Sequence, residues 1–166
     1  MPATVLQVNA SAGGVPKLPI PQGEVTHSGL AQDRHAHPSL HGGARQALLL
    51  ITAEGTEELR CAGFPVFDGA LGENITTQGL RRQSVRIGQR YRIGAEVVVE
   101  ITKVRAPCDT LNVYGAGTIQ KAVYDAGCKA RDASSTRWGL SGFYASVVHT
   151  GVIRPGDPVT LLDQLV

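Results

Sequence analysis

Short runs in which apolar and polar positions alternate dominate this chain and predict a succession of strands. "TVLQVNA" and "EVTHSG" read as short strands and "ALLLI" as a fully buried one. In "EVVVEITKV", Val97, Val99 and Ile101 alternate with Val98, Glu100 and Thr102, which predicts a longer strand with one buried face. "GFYASVVHTG" and "DPVTLLD" add two more strands, joined through "RPGD", where Pro155 presets the backbone and Gly156 tolerates unusual angles. Two stretches have helical spacing instead. "TAEGTEELRCAG" has Thr52 as N-cap and Gly63 as stop; "GTIQKAVYDAG" sets Ile119, Val123 and Ala126 on one face before Gly127. With no internal repeat or linker, the pattern predicts a single domain over residues 1–166. Its expected fold class is mainly β, an antiparallel β-barrel with a few short helices.

Composition narrows this picture little. A chain of 166 residues that is 42% hydrophobic can bury a real core. Its net charge of +2 and scattered Lys and Arg give no electrostatic footprint for nucleic acid. No run reaches the roughly 20 apolar residues of a membrane span. The start, "MPATVLQVNASAGG", lacks the basic and apolar segments of a signal peptide, so a cytoplasmic location is expected. Cys61, Cys108 and Cys128 are odd in number and lack CxxC spacing, which indicates neither a disulfide framework nor a zinc knuckle.

Three polar stretches carry candidate chemistry. "GLAQDRHAHPSLHGGARQALLL" contains an H-x-H-x3-H spacing that suits a metal, but Pro38 and the Gly42-Gly43 pair make it a loop of unfixed geometry. Its glycines and the planar forks of Arg34 and Arg45 suit an anion such as phosphate equally, and a solvated polar loop is the plain alternative. "GALGENITTQGL" gathers Glu73, Asn74, Thr76 and Thr77 between glycines, as either a hydrogen-bonded turn or part of a site. In "VRAPCDTLN", Cys108 follows the strongest strand, with Arg105 three residues upstream and Asp109 next to it. A thiol so placed serves as a nucleophile or a soft-metal ligand, or is simply a small buried hydrophobe. Cys61 and Cys128 read as structural. No GxSxG, HExxH or Walker loop is present.

As an ordered set, "NASAGGVPKLP", "GLAQDRHAHPSLHGGARQA", "LGENITTQGL", "RAPCDTLN" and "RWGLSGFYASVVHTGVIRPGD" resemble the segments of MOSC domains, named after the C-terminal domain of molybdenum cofactor sulfurases. "GGVPK" and "GENITT" are similar to the small stand-alone bacterial YiiM-like type. The resemblance implies a barrel-like β fold that binds the molybdenum cofactor, a molybdopterin dithiolene bearing a phosphate, with Cys108 as the ligand of molybdenum.

Soft sulfur is the natural protein donor for such a metal. On this reading Lys17, Arg34 and Arg45 grip the phosphate, and His35, His41 and Gln46 meet the pterin edges. Asn74, Thr76, Arg105, Arg137 and Ser141 complete the cofactor set; Asp109 either relays a proton or caps a turn, and Trp138 either stacks on a flat substrate or is an ordinary exposed or core aromatic. Larger relatives carry a helical segment after the barrel that is expected to be absent beyond "VTLLDQLV".

The implied activity is reduction of N-hydroxylated bases or amidoximes with electrons from a separate reductase. Two alternatives are a persulfide sulfur carrier loaded by a cysteine desulfurase and a non-catalytic molybdopterin-binding module. A monomer and a homodimer are both open.

Overall fold

The computed structural model describes residues 2–33 and 43–162. In chain order the strands are β1 (Thr4–Ala10), β2 (Leu18–Ile20), β3 (Gly23–Thr26), β4 (Gly29–Leu30), β5 (Leu48–Thr52), β6 (Ile75–Gln78), β7 (Arg90–Ile93), β8 (Val97–Val104), β9 (Phe143–His149), β10 (Gly151–Ile153) and β11 (Val159–Leu161). Helix α1 (Ala53–Cys61) joins β5 to β6, while α2 (Thr118–Val123) and α3 (Ala126–Lys129) lie between β8 and β9.

Eight strands form one sheet in the order β11-β7-β8-β9-β5-β6-β1-β2, and three form a second in the order β10-β3-β4. The predicted antiparallel barrel is corrected on two counts. First, β5 and β6 pair in parallel, because the chain crosses over through α1 before returning to the sheet. Second, the large sheet ends at β11 and β2 without closing by strand pairing, so no closed barrel is found among the described residues. The start of β1 meets the segment ahead of β11 through a single Thr4–Pro158 bridge and the Val5-to-Asp157 and Val159-to-Ala3 hydrogen bonds, each 2.8 Å.

The long alternating stretch forms β8 as expected, with Val97, Val99 and Ile101 buried in a core they share with Val8, Leu48, Leu50, Ile75, Phe143 and Ala145. A second core joins Ile51 and Leu59 to Leu71, Leu111, Ile119 and Leu140, beneath α1 and α2. Thr52 caps α1, its hydroxyl accepting from the Gly55 amide. The second predicted helix breaks, however. Tyr124 is extended and Asp125 caps a new helix by accepting from the Cys128 amide at 2.8 Å, which leaves Gly127 inside α3 rather than at a stop. β10 also separates the last two predicted strands, so "RPGD" connects β10 to β11. Among the described residues no helix is long and apolar enough to cross a membrane.

Candidate functional site

Cys108 lies in the bend that ends β8, half-buried and outside any disulfide. Pro107 precedes it, and a 3-10 turn over Asp109–Tyr114 follows. Its carbonyl accepts from the Leu111 amide (3.2 Å) and from Gln120 Nε2 of α2 (3.2 Å), and its sulfur lies 2.9 Å from Thr110 Oγ1. Cys108 is therefore held at its backbone while remaining partly exposed. Asp109, the neighbour expected to relay protons, is exposed.

Arg105 is buried at the end of the same strand. Its Nη1 donates to the carbonyls of Leu71 (2.6 Å) and Ser141 (3.4 Å), which joins the Cys108 strand to the "GALGEN" loop and to the loop before β9. Tyr144, on β9 opposite Lys103, completes this neighbourhood. Burial pushes its phenol up, the charge of Arg105 opposes that, and Cys108 adds to it; the Lys103 ammonium stands 5.4 Å from its ring centre. Ser141 is fully buried, with a hydroxyl that has no hydrogen-bond partner among the described residues.

Behind Arg105 lies a polar interior. Glu73 is fully buried; one carboxylate oxygen accepts from the Gly69 amide (2.6 Å) and the Thr76 hydroxyl (3.2 Å), while the other has no partner. Burial pushes Glu73 up to about 7, against those hydrogen bonds and the charge of Arg105. The Tyr114 hydroxyl, also buried and unpartnered, is pushed up by burial and by Glu73. Asn9 ties the cluster to β1, its amide donating to the Glu73 carbonyl (3.2 Å) and Thr76 Oγ1 (3.1 Å). Gly69 must be glycine, because at φ +98° a Cβ would stand 2.2 Å from the Lys17 carbonyl oxygen.

Lys17 and Asn74 converge on Asp33. The Lys17 ammonium forms a buried ion pair with the Asp33 carboxylate, which also accepts from Asn74 Nδ2 (2.9 Å) and the Ser11 amide (2.9 Å). Asn74 Oδ1 accepts in turn from the Leu49 amide at 3.0 Å. Any ligand phosphate at Lys17 would thus meet an ion pair rather than a bare cation. Thr76 is likewise engaged within the protein.

The other expected positions are dispersed. Arg45 is exposed in a short 3-10 turn over Ala44–Gln46, and its carbonyl receives the Thr102 hydroxyl at 2.5 Å. Gln46 is half-buried in the same turn. Arg34, His35 and His41 lie outside the described residues, as does the three-histidine metal reading; among the described residues no group of three His, Cys, Asp or Glu could hold a metal. Arg137 stands 3.7 Å from Asp125, in a cluster with Ser135 and the buried Cys128. Trp138 corrects the stacking expectation. It is 1% exposed, donates Nε1 to the Val85 carbonyl (2.8 Å) and meets Phe143 edge-on at 6.1 Å, because its indole fills the core. Cys61, expected to be structural, is exposed at the end of α1.

Asn9, Asp33, Thr110, Gln120 and Tyr144 were not singled out as site residues from the sequence. Asn9 carried the clearest signal, a polar side chain at a buried position of a strand; the others gain meaning only from contacts across the fold.

The partly exposed free thiol of Cys108 thus shares this part of the fold with a buried cation, Arg105, and a buried acid, Glu73. The MOSC domain family model matches residues 37–160, and the chain belongs to that family. It is 30% identical over 141 residues to a protein named reductase from Gibberella moniliformis, covering 82% of this chain and 23% of that one. Over 127 residues it is 31% identical to YflK of Bacillus subtilis (75% and 51%), and over 149 residues 28% identical to YiiM of Escherichia coli (85% and 59%). The chain thus spans less than two thirds of the length of these curated relatives. Among solved structures, YiiM from Geobacillus stearothermophilus superposes with a TM-score of 0.71 at 25% identity, covering 98% of this chain and 76% of that one. YiiM from Escherichia coli superposes at 0.73 with 22% identity (99% and 71%), a likeness of fold.

Proposed function

We propose that this protein binds the molybdenum cofactor through Cys108 and reduces N-hydroxylated bases or amidoximes with electrons from a separate reductase. The observation that carries this reading is the half-buried free thiol of Cys108 at the end of β8, set near buried Arg105 in a chain of the MOSC family. The name of the fungal relative, a reductase, supports the reaction class.

The residues fit such a group on chemical grounds. A thiolate is a soft donor suited to molybdenum, and Arg105 offers positive charge for an anionic dithiolene and its phosphate. The unpartnered Ser141 hydroxyl, buried next to the carbonyl that Arg105 holds, is a polar group still lacking a hydrogen-bond partner. Bound there, the cofactor would supply the two-electron redox chemistry of the reduction.

The chain's own residues do the rest. Gln120 and the 3-10 turn fix the cysteine backbone, and Arg105 braces the two loops that flank it. Asp109, exposed one residue from the thiol, can hold a proton for the hydroxyl that leaves an N–OH substrate as water. Arg45 and Gln46, with the sequence candidates Arg34, His35 and His41, form the proposed cradle for the pterin and phosphate, while Lys17 and Asn74 are held by Asp33 within the protein.

The reading is tested by assaying molybdenum-loaded protein with a chemical reductant and an aryl amidoxime. Turnover in the wild type that disappears in Cys108→Ser is expected. A fully loaded protein inactive on every N-hydroxylated compound would overturn it. One added sulfur on Cys108 by intact mass, after incubation with a cysteine desulfurase, would favour the persulfide carrier instead.

A further inference from the structure

Among the described residues the Cys108 sulfur has one side-chain partner, the Thr110 hydroxyl at 2.9 Å. The two residues are held in this relation by the backbone. Cys108 is extended, at φ −127° and ψ −177°, and the 3-10 turn that starts at Asp109 brings Thr110 back towards it. Gln120 Nε2 reaches from α2 to the Cys108 carbonyl (3.2 Å) and to Asn112 Oδ1 (2.6 Å), tying the start of this turn to its middle. Thr110 is β-branched, so few rotamers compete with the one that aims its oxygen at sulfur.

A thiol can donate or accept in such a contact, but a sulfur that has lost its proton can only accept. We propose that Thr110 is a positioning residue: its hydroxyl holds the Cys108 sulfur in one rotamer and donates to it when that sulfur ligates a metal. This rests on the metal-binding reading of the site above. A hydrogen bond to a ligating sulfur withdraws charge from it and makes the metal easier to reduce, in the way that hydrogen bonds to sulfur tune iron–sulfur centres. Thr110 thus sets the potential of the centre as well as its geometry, without itself touching substrate.

The test compares wild type, Thr110→Val and Thr110→Ser. Val keeps the shape and removes the hydroxyl; Ser keeps the hydroxyl. Cysteine-selective isotope labelling gives three cysteine signals, with Cys61 and Cys128 as internal references, and the Cys108 side-chain couplings report its rotamer in metal-free protein. Rotamer averaging is expected in Thr110→Val, and a single rotamer in wild type and Thr110→Ser.

In molybdenum-loaded protein, the midpoint potential followed by electron paramagnetic resonance should fall in Thr110→Val and return towards wild type in Thr110→Ser. A single Cys108 rotamer in Thr110→Val overturns the proposal, as does an unchanged midpoint. Protein that takes up no metal contradicts the cofactor reading instead, and the rotamer measurement then decides the role of Thr110 alone.

Discussion

Arg105 Nη1 lies 2.6 Å from the carbonyl oxygen of Leu71, so the residue that follows β8 on the way to Cys108 also holds the loop carrying Glu73. The guanidinium is 4% exposed and reaches the Ser141 carbonyl as well. Replacing it by Met leaves two buried carbonyls without a donor and Glu73 without its neighbouring cation. Arg105→Met should lose about 2–4 kcal/mol of stability, read from urea midpoints, and Arg105→Lys less. A Met variant as stable as wild type would remove Arg105 from the framework of the site.

Glu73 gives the protein a pH signature. Its folded-state value of about 7 lies above the ordinary 4.5 because burial disfavours the charged form. The favourable contribution of the protonated carboxyl is therefore fully present below about 4.5 and is lost as pH rises through 7. At roughly 1.4 kcal/mol per pKa unit, the change is about 3 kcal/mol. Glu73→Gln, which cannot ionise, should remove this slope and gain on the wild type above pH 7. Parallel profiles of urea midpoint against pH would contradict the assignment.

The Lys17–Asp33 pair is buried on both sides, with the side chains 8% and 3% exposed. Asp33→Ala strands an ammonium in the interior and deprives Asn74 and the Ser11 amide of their acceptor. A loss of about 3–5 kcal/mol is expected. The double variant Lys17→Met with Asp33→Ala should recover part of it, because the stranded charge is gone. A double variant no more stable than Asp33→Ala would show that the pair's charge is not what matters.

Gly139 illustrates a backbone constraint in the segment that leads into β9. It has φ +79°, and a Cβ would come 2.4 Å from Phe143 Cζ. Gly139→Ala should therefore lose more than about 1 kcal/mol, with thermal unfolding as the readout. An unchanged melting temperature would mean that Phe143 moves aside freely.

Much of the fold was legible where burial imposes a period on the sequence. β8 announced itself through Val97, Val99 and Ile101, and α1 through its Thr52 cap. β6 was not legible as a strand, because "ITTQ" is polar at three of its four positions, and its buried Thr76 is satisfied by Asn9 and Glu73 rather than by water. The parallel pairing of β5 with β6 depends on how α1 packs, which no local pattern encodes. β2, β4 and β10 span three residues or fewer, too short for a period to show.

The site divides in the same way. Cys108 and Arg105 stood out through residue type and position at the end of a strand. Asn9, Asp33 and Thr110 acquire their roles from partners that sequence alone does not identify, and Trp138 stayed open between stacking and core because a lone aromatic gives no sign of which it does.

The central claim, that Cys108 anchors a molybdenum centre, is tested most directly by elemental analysis of wild type and Cys108→Ser produced in a host that makes the cofactor. The account predicts near one molybdenum per chain in the wild type and little in the variant. Equal molybdenum in both, or none in either, would contradict it.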